Sequence, residues 1–595
     1  MQVIVLLGLA FFLLKGLFSA AAYQPYAPLP QSAPDHGFLA ISYFGVDRKG
    51  TESLIGARQL ESHIKALRDS GYVTIRQQDV LAYYREGKPL PEKALLLLFE
   101  DGRRDTAIFA QKIMEEYNAV ATMFSYADKF EKKDPKFLSP RDIKSMLDSS
   151  YWETGTNGYR LAFINVFDRY GYYLGELNSQ EFSMMAPYLE RKYDHYLMDY
   201  LRDEYGVPKE SFEEMKARIH KDYQLMANIY QKELGELPAF YALMHSNTGQ
   251  FGSNEKVSRV NAEHIHDLFA ININREGHSH NDRGNSLYDL TRIQPQAHWS
   301  ANHLLMRIWD DTRQDMAFVL GNEQQAALWS TLEGVAEFSS DSIILTSLPA
   351  EAGRLRLKSS EEFGDISLSC QLEGNALGSQ AVLLRADKGL NNYLRVALED
   401  KHLVITQVEK GKEQELFSQA LDSIAGISPV SVAEDKKQIE IGRLRMTLKY
   451  AKQAGAAMDT FRELSAAKKR QVPSVAEGAE EYIPNLDLNE SQEKQLSITL
   501  EGERLTVAVD GIVAAELPVQ GAASGALALE ARSSFQKYSQ RNLTDDVYDG
   551  VFRNIMITGQ GGEVLFDGRP QKAERILAAI AGRWHDLIDW FVKVL

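Results

Sequence analysis

The chain has 595 residues, a formal net charge of −16 and a hydrophobic share of 44%, which is more than one domain of ~100–200 residues and enough apolar material for more than one core. The acidic balance excludes a nucleic-acid partner, since there is no basic surplus to neutralise phosphates. The one cysteine, Cys370, excludes an intramolecular disulfide and a thiolate metal cluster; it sits in a strand-like run and reads as a small core residue.

Residues 1–22 contain VIVLLGLAFFLL followed by Lys15 and the small residues Ala20 to Ala22. The run has the apolar core of an export signal but no basic start, and as an anchor it just spans ~30 Å of hydrocarbon with Lys15 snorkelling. Export is expected on either reading, and a membrane anchor is the favoured one. Pro25, Pro28, Pro30 and Pro34 make 23–37 an extended spacer.

From Phe38, FLAISYFGV reads as a first strand, and Leu60, Ile64 and Leu67 have helical spacing. Residues 94–99, ALLLLF, form a short buried strand that ends abruptly in Glu100, Asp101 and Gly102. Carboxylates at the end of a buried strand are fixed by the strand and exposed by the loop, which is how barrel enzymes present catalytic groups. From the tripeptide alone, a solvated turn with capping carboxylates is the alternative. Asp105-Thr106 then opens a helix to about Tyr117, and Ala119 to Phe124 is another strand.

This run resembles the polysaccharide deacetylase family, the NodB-homology carbohydrate esterases. Their first motif, Thr-Phe-Asp-Asp-Gly, stands here as Leu98-Phe99-Glu100-Asp101-Gly102. The resemblance covers roughly 38–165 and returns near 238–295. It implies a (β/α) barrel over 38–330 that removes acetyl groups from an amino-sugar polysaccharide, using a divalent, zinc-like metal. It also implies that Glu100 stands for the catalytic base and Asp101 for a metal ligand. The family's second motif, His-Ser/Thr-x-x-His, falls on Asn157 and Leu161. Leucine cannot coordinate and an amide oxygen is a poor zinc ligand, so the metal triad is incomplete. Glu100 keeps proton-accepting chemistry but moves it by one methylene. The expectation is a hydrolase relative of reduced or absent activity, a pseudoenzyme.

Residues 238–244, PAFYALM, look like a later strand ending at His245, the best single candidate for a catalytic imidazole. Asn157, Arg160, Tyr241 and the Arg292 of a closing Leu-x-Arg segment are the expected substrate-binding residues. His264, His266, His278 and His280 offer a pool for a rebuilt metal site, against the plainer reading of solvated loops. Between the motifs, 162–236 is rich in helix formers and tyrosine and is expected to be a helical insertion. Tyr188, Tyr193, Tyr196, Tyr200 and Tyr205 there form either a packing stripe or a sugar-stacking face.

Beyond Ser339 short strands with turn signals recur, predicting a β-sandwich over 339–568. Asn391-Asn392-Tyr393-Leu394-Arg395-Val396 and the Asp510-Gly511 hairpin resemble laminin-G/concanavalin-like jelly rolls, folds that often bind glycans. Packing against the barrel is the other use of such a domain. The charged stretch 430–490 is expected to be a mobile surface insertion, and 574–595 an amphipathic helix for a membrane surface or a partner protein. The fold class is thus α/β plus all-β, a barrel followed by a sandwich. Two functions remain open. One is an exported, membrane-associated deacetylase homologue acting on a cell-envelope or extracellular glycan. The other is a non-catalytic glycan-binding scaffold of an exopolysaccharide synthesis and export assembly.

Overall fold

The computed structural model describes residues 24–28, 36–132, 134–190, 192–244, 251–450, 455–466, 473–483, 490–534 and 545–570, with Ile580 and Arg583. The expected anchor at 1–22, most of the helix expected at 574–595 and His245 lie outside the described residues. No described helix is long and apolar enough to cross a membrane.

The strands of the first half, in chain order, are Phe38–Tyr43 (β1), Val46–Asp47 (β2), Ile55–Gly56 (β3), Val73–Thr74 (β4), Ala94–Phe99 (β5), Ala121–Tyr126 (β6) and Trp152–Gly158 (β7). They continue as Ala162–Phe167 (β8), Tyr173–Asn178 (β9), Asp194–His195 (β10), Phe240–Ala242 (β11), Ile271–Glu276 (β12), His280–Asn281 (β13) and Leu290–Arg292 (β14). One sheet runs in the order β13-β1-β5-β6-β7-β11-β12-β14, with β4 also on β5. Apart from the antiparallel β13, its pairings are parallel. The sheet curls until its ends meet. Ser42 N–H donates to Ile293 O (2.9 Å) and Ile293 N–H to Ala40 O (3.1 Å), which joins β1 to the residue after β14.

FLAISY, ALLLLF and ATMFSY are buried at every position, as strands covered on both faces must be. Alternate residues separate into two cores. Phe38, Ala40, Leu96, Leu98, Phe124, Phe240, Ile271, Ile273 and Leu290 pack together in one. Leu39, Ile41, Leu95, Leu97 and Phe99 pack in the other, against residues of the surrounding helices such as Leu60, Ile64, Phe109 and Ile113. Because side chains alternate with period two, Ser42, Glu100, Tyr126 and Arg292 continue the first set at the strands' C-terminal ends, the face where parallel barrels carry their sites.

The stretch 162–236, expected to be a helical insertion, holds more helix than strand but also contains a small sheet. Its first part forms an antiparallel sheet in the order β10-β8-β9, and its helices are Ser179–Met185 and Phe212–Glu233 with a short 3-10 turn. Phe163, Val166 and Leu177 of that sheet bury themselves against Met185 and Leu189.

From Trp329 to Asp567 a seven-stranded and an eight-stranded sheet lie face to face, with Leu355, Val382, Leu394 and Leu529 of one packed in a single core with Leu345, Leu368, Leu496 and Phe552 of the other. Cys370 belongs to that core, and burial pushes its thiol up to about 12. The stretch expected to be a mobile surface insertion is instead docked on the first half of the chain. Its helix Val432–Tyr450 accepts the Tyr170 hydroxyl on Asp435 (2.8 Å), pairs Asp435 with Arg169 (3.2 Å) and lays Arg443 over the Tyr172 ring (3.8 Å). Gly442 lies so close to Tyr188 that a Cβ would meet its ring at 2.9 Å.

A second joint connects the two halves. His303, 1% exposed on the helix Ala301–Thr312, lies between Asp545 (Nε2–Oδ1 3.0 Å) and Asp549 (Nδ1–Oδ2 3.3 Å). Trp299 stacks on its ring at 4.5 Å and donates its indole N–H to Asp545 (2.9 Å). Four residues on, Arg307 reaches Asp546 at 2.9 Å.

Candidate functional site

The turn after β5 is held by bonds on both sides of it. Glu100 N–H donates to Tyr43 O (2.8 Å), carrying the β1–β5 ladder one residue past the strand. Asp101 and Gly102 then take left-handed φ of 67° and 62°. A Cβ on Gly102 would meet Ser125 Cβ at 2.8 Å, so only glycine lets the turn pass β6 this closely. Asp101 is a non-glycine residue in a conformation that costs ~1 kcal/mol or more, and such strain gathers at functional sites.

Glu100 points inward and is 1% exposed. Its Oε1 accepts from Ser42 Oγ (2.6 Å), Arg292 Nε (2.9 Å) and Gln294 Nε2 (3.0 Å). Its Oε2 is buried and accepts from no described residue. Arg292, 0% exposed, also bonds Glu276 (3.3 Å) and the Arg275 carbonyl (3.2 Å). Arg292 is therefore not the substrate-facing residue expected from the sequence but a buried clamp on the carboxylate. A guanidinium makes this possible because its fork serves several acceptors at once.

Asp101 keeps 17% of its side chain exposed, and its nearest cation is Arg103 at 3.8 Å. Burial raises its carboxyl to about 6, with the Arg103 charge opposing and Glu100 adding to the rise. The Asp101 backbone N–H donates to Asn157 Oδ1 (3.1 Å), while Asn157 Nδ2 faces Met244 Sδ at 3.6 Å. Tyr126, at the end of β6, has a buried hydroxyl without a partner among the described residues. Burial, followed by the Asp101 and Glu100 charges, raises it well above its ordinary value, so it remains a neutral phenol.

The other expected residues scatter. Tyr241 is wholly buried, stacked on Phe269 at 4.5 Å, and serves the core rather than a ligand. Arg160 lies 3.2 Å from Glu176 and 3.7 Å from Asp222, over the Tyr196 ring at 4.2 Å. Leu161 packs against the apolar cluster of the small sheet. Of the histidines, His264 stacks on Tyr223 (4.7 Å) and His266 on Tyr288 (4.1 Å), while His280 Nε2 meets His36 O (2.8 Å). His278 stands 3.7 Å from Asp311. Among the described residues no group of three His, Cys, Asp or Glu side chains is placed to hold a metal ion. Tyr193 packs on Phe163 and Phe182, Tyr196 lies between Arg160 and Arg218, and Tyr205 is 82% exposed. No sugar-stacking face forms from that series.

Among the described residues the donor set beside Asp101 does not fit zinc: one carboxylate, an amide whose oxygen already accepts a backbone N–H, and a leucine packed in an apolar cluster. Sequence reasoning missed Ser42, Gln294, Glu276 and Tyr126. The signal for Ser42 and Tyr126 was strand parity, since they stand two residues beyond apolar members of the inner set.

No family model matches the chain. Over 142 residues, 23% of its length, it is 32% identical to a poly-β-1,6-N-acetyl-D-glucosamine N-deacetylase of Escherichia coli K12, covering 19% of that protein. Over this stretch the chain is similar in sequence to polysaccharide deacetylases. The putative polysaccharide deacetylase YxkH of Bacillus subtilis is 29% identical over 86 residues, 31% of its length. The chain thus spans between about a fifth and a third of these deacetylases. Among solved structures, the BpsB deacetylase domain of Bordetella bronchiseptica aligns over 45% of this chain and 98% of its own, with 14% identity and a TM-score of 0.34. The Streptococcus pyogenes deacetylase PplD aligns over 46% and 99%, with 13% identity and a TM-score of 0.33.

Proposed function

We propose that this polysaccharide deacetylase-family protein binds an amino-sugar polysaccharide of the cell envelope or extracellular matrix and does not remove its acetyl groups by the family's metal-dependent route. The observation that carries the proposal is the pair at the imidazole positions: Asn157 spends its carbonyl oxygen on the Asp101 N–H and Leu161 packs in an apolar cluster. A carboxylate alone does not hold a zinc-like ion, and without that ion the carbonyl goes unpolarised and water unactivated. Glu100, clamped by Arg292, Ser42 and Gln294, supplies a fixed acceptor rather than a mobile base. The polymer is inferred from the relatives, one of which is named for poly-β-1,6-N-acetyl-D-glucosamine. Export and membrane association through 1–22, and a place in a polysaccharide synthesis and export assembly, complete the proposal on the strength of the sequence.

Elemental analysis of the purified full-length chain, paired with acetate release from N-acetylated amino-sugar oligomers, tests it. The expected result is substoichiometric metal and no acetate release above background. Stoichiometric metal with acetate release abolished by Asp101→Ala would overturn it.

A further inference from the structure

Resting on the polysaccharide reading above, we propose that the strand-end turn at Asp101 recognises the ammonium group of a de-N-acetylated sugar unit in preference to an acetamide. The argument is one of donors and acceptors. Arg292 bonds both Glu100 and Glu276. Glu100 Oε2 is buried without a donor among the described residues, and the Asp101 carboxylate has Arg103 beyond hydrogen-bond reach at 3.8 Å, with the Lys129 charge also acting on it. Lys129 and Lys132 are turned to a different carboxylate, Asp128, at 3.8 and 2.6 Å. The strand ends therefore present acceptors that lack donors among the described residues. Tyr126, a neutral phenol whose buried hydroxyl has no partner among the described residues, is a second polar group left unmatched there.

An ammonium has three N–H donors and no acceptor, which matches that deficit. An acetamide brings one N–H together with a carbonyl oxygen, and the oxygen would face carboxylates. A divalent metal is the competing cation, but it needs several ligands at fixed geometry, whereas an ammonium is satisfied by two or three acceptors of loose geometry. Asp101, the more exposed of the two carboxylates, meets the ligand first.

The test is calorimetric titration of the full-length chain at pH 6, with chelator present, using a β-1,6-linked glucosamine pentamer and its fully N-acetylated counterpart. The free-amine pentamer is expected to bind at least ~10-fold more tightly, since a hydrogen bond to a charged group is worth ~1.5–3 kcal/mol and ~1.4 kcal/mol is tenfold in affinity. Asp101→Asn, which keeps shape and removes charge, should erase most of that preference. Its thermal midpoint, measured alongside, separates lost recognition from lost folding. Acetylated pentamer bound as tightly as the amine would overturn this inference and leave the polysaccharide reading standing. Failure of both pentamers to bind would overturn both. An amine preference undiminished in folded Asp101→Asn would place the recognition on another surface and likewise overturn it.

Discussion

Replacing His303 with glutamine should remove most of the alkaline pH dependence of the joint between barrel and sandwich. Burial alone would lower the imidazole, but the flanking carboxylates of Asp545 and Asp549 outweigh burial and hold it at about 9 against an ordinary value of 6.5. A base raised in the folded state contributes fully below its unfolded value, and the contribution is lost as pH climbs through the folded one. At ~1.36 kcal/mol per pH unit, the loss between pH 6.5 and 9 is about 3 kcal/mol. Asp545, which burial would raise but His303 draws down to about 2, reports the same contact from the other side and is not added. On the acid side the sign reverses. His63 and His298 are pushed by burial to about 4, so each costs stability as pH falls from 6.5 toward 4. The joint should thus be most stable near pH 6.5. Trp299, stacked on His303 and bonded to Asp545, places a fluorophore at the joint, so urea unfolding followed by tryptophan emission at pH 6.5 and 9 is the assay. The wild-type chain should lose about 3 kcal/mol more than His303→Gln between these two values. Equal losses in the two proteins would refute the electrostatic account of the joint.

Two further substitutions address the barrel. Arg292→Met strips Glu100 and Glu276 of their common cation; it should cost ~3–5 kcal/mol of unfolding free energy, and combining it with Glu100→Gln should recover part of that loss. Denaturation midpoints of the single and double variants check both statements. Gly102→Ala sets a side chain at φ 62° against Ser125, so a loss of ~1–3 kcal/mol is expected. Because the same turn aims Asp101, glucosamine-oligomer affinity should fall alongside it, which calorimetry would register.

How much of this was legible in the sequence depends on the range of the interaction concerned. The six apolar residues of ALLLLF and the abrupt Glu-Asp-Gly are local facts, and the structure places that strand in a parallel barrel with its acids at the C-terminal end. The sandwich was legible for the same reason, from strand patterns repeated at short spacing. Arg292 was not. Nothing near it in the chain says that its guanidinium turns inward to meet a carboxylate 192 residues away. Tyr241 misled similarly, as an aromatic at a strand end whose ring faces Phe269 instead of the cleft. In 162–236 the composition spoke for helix, and Phe212–Glu233 is one, whereas the small sheet that buries Phe163 and Leu177 was not read from the sequence. The docking of Val432–Tyr450 rests on Asp435 and Arg443 meeting tyrosines from the first half of the chain, a pairing that only the folded molecule reveals.

The same network bears on why a turn with two carboxylates persists where the metal donors do not. Glu100 is costly: a buried charge needs its partners, and here three donors converge on one oxygen while the other has none among the described residues. Asp101 adds backbone strain and a carboxyl held near 6 chiefly by burial. A turn serving only to connect β5 to the next helix would be more stable with neutral side chains in its place. The arrangement makes physical sense if something supplied from outside the chain completes it. The shape of the deficit, acceptor oxygens without donors and no imidazole cage among the described residues, favours a hydrogen-bonding cation over a coordinated metal.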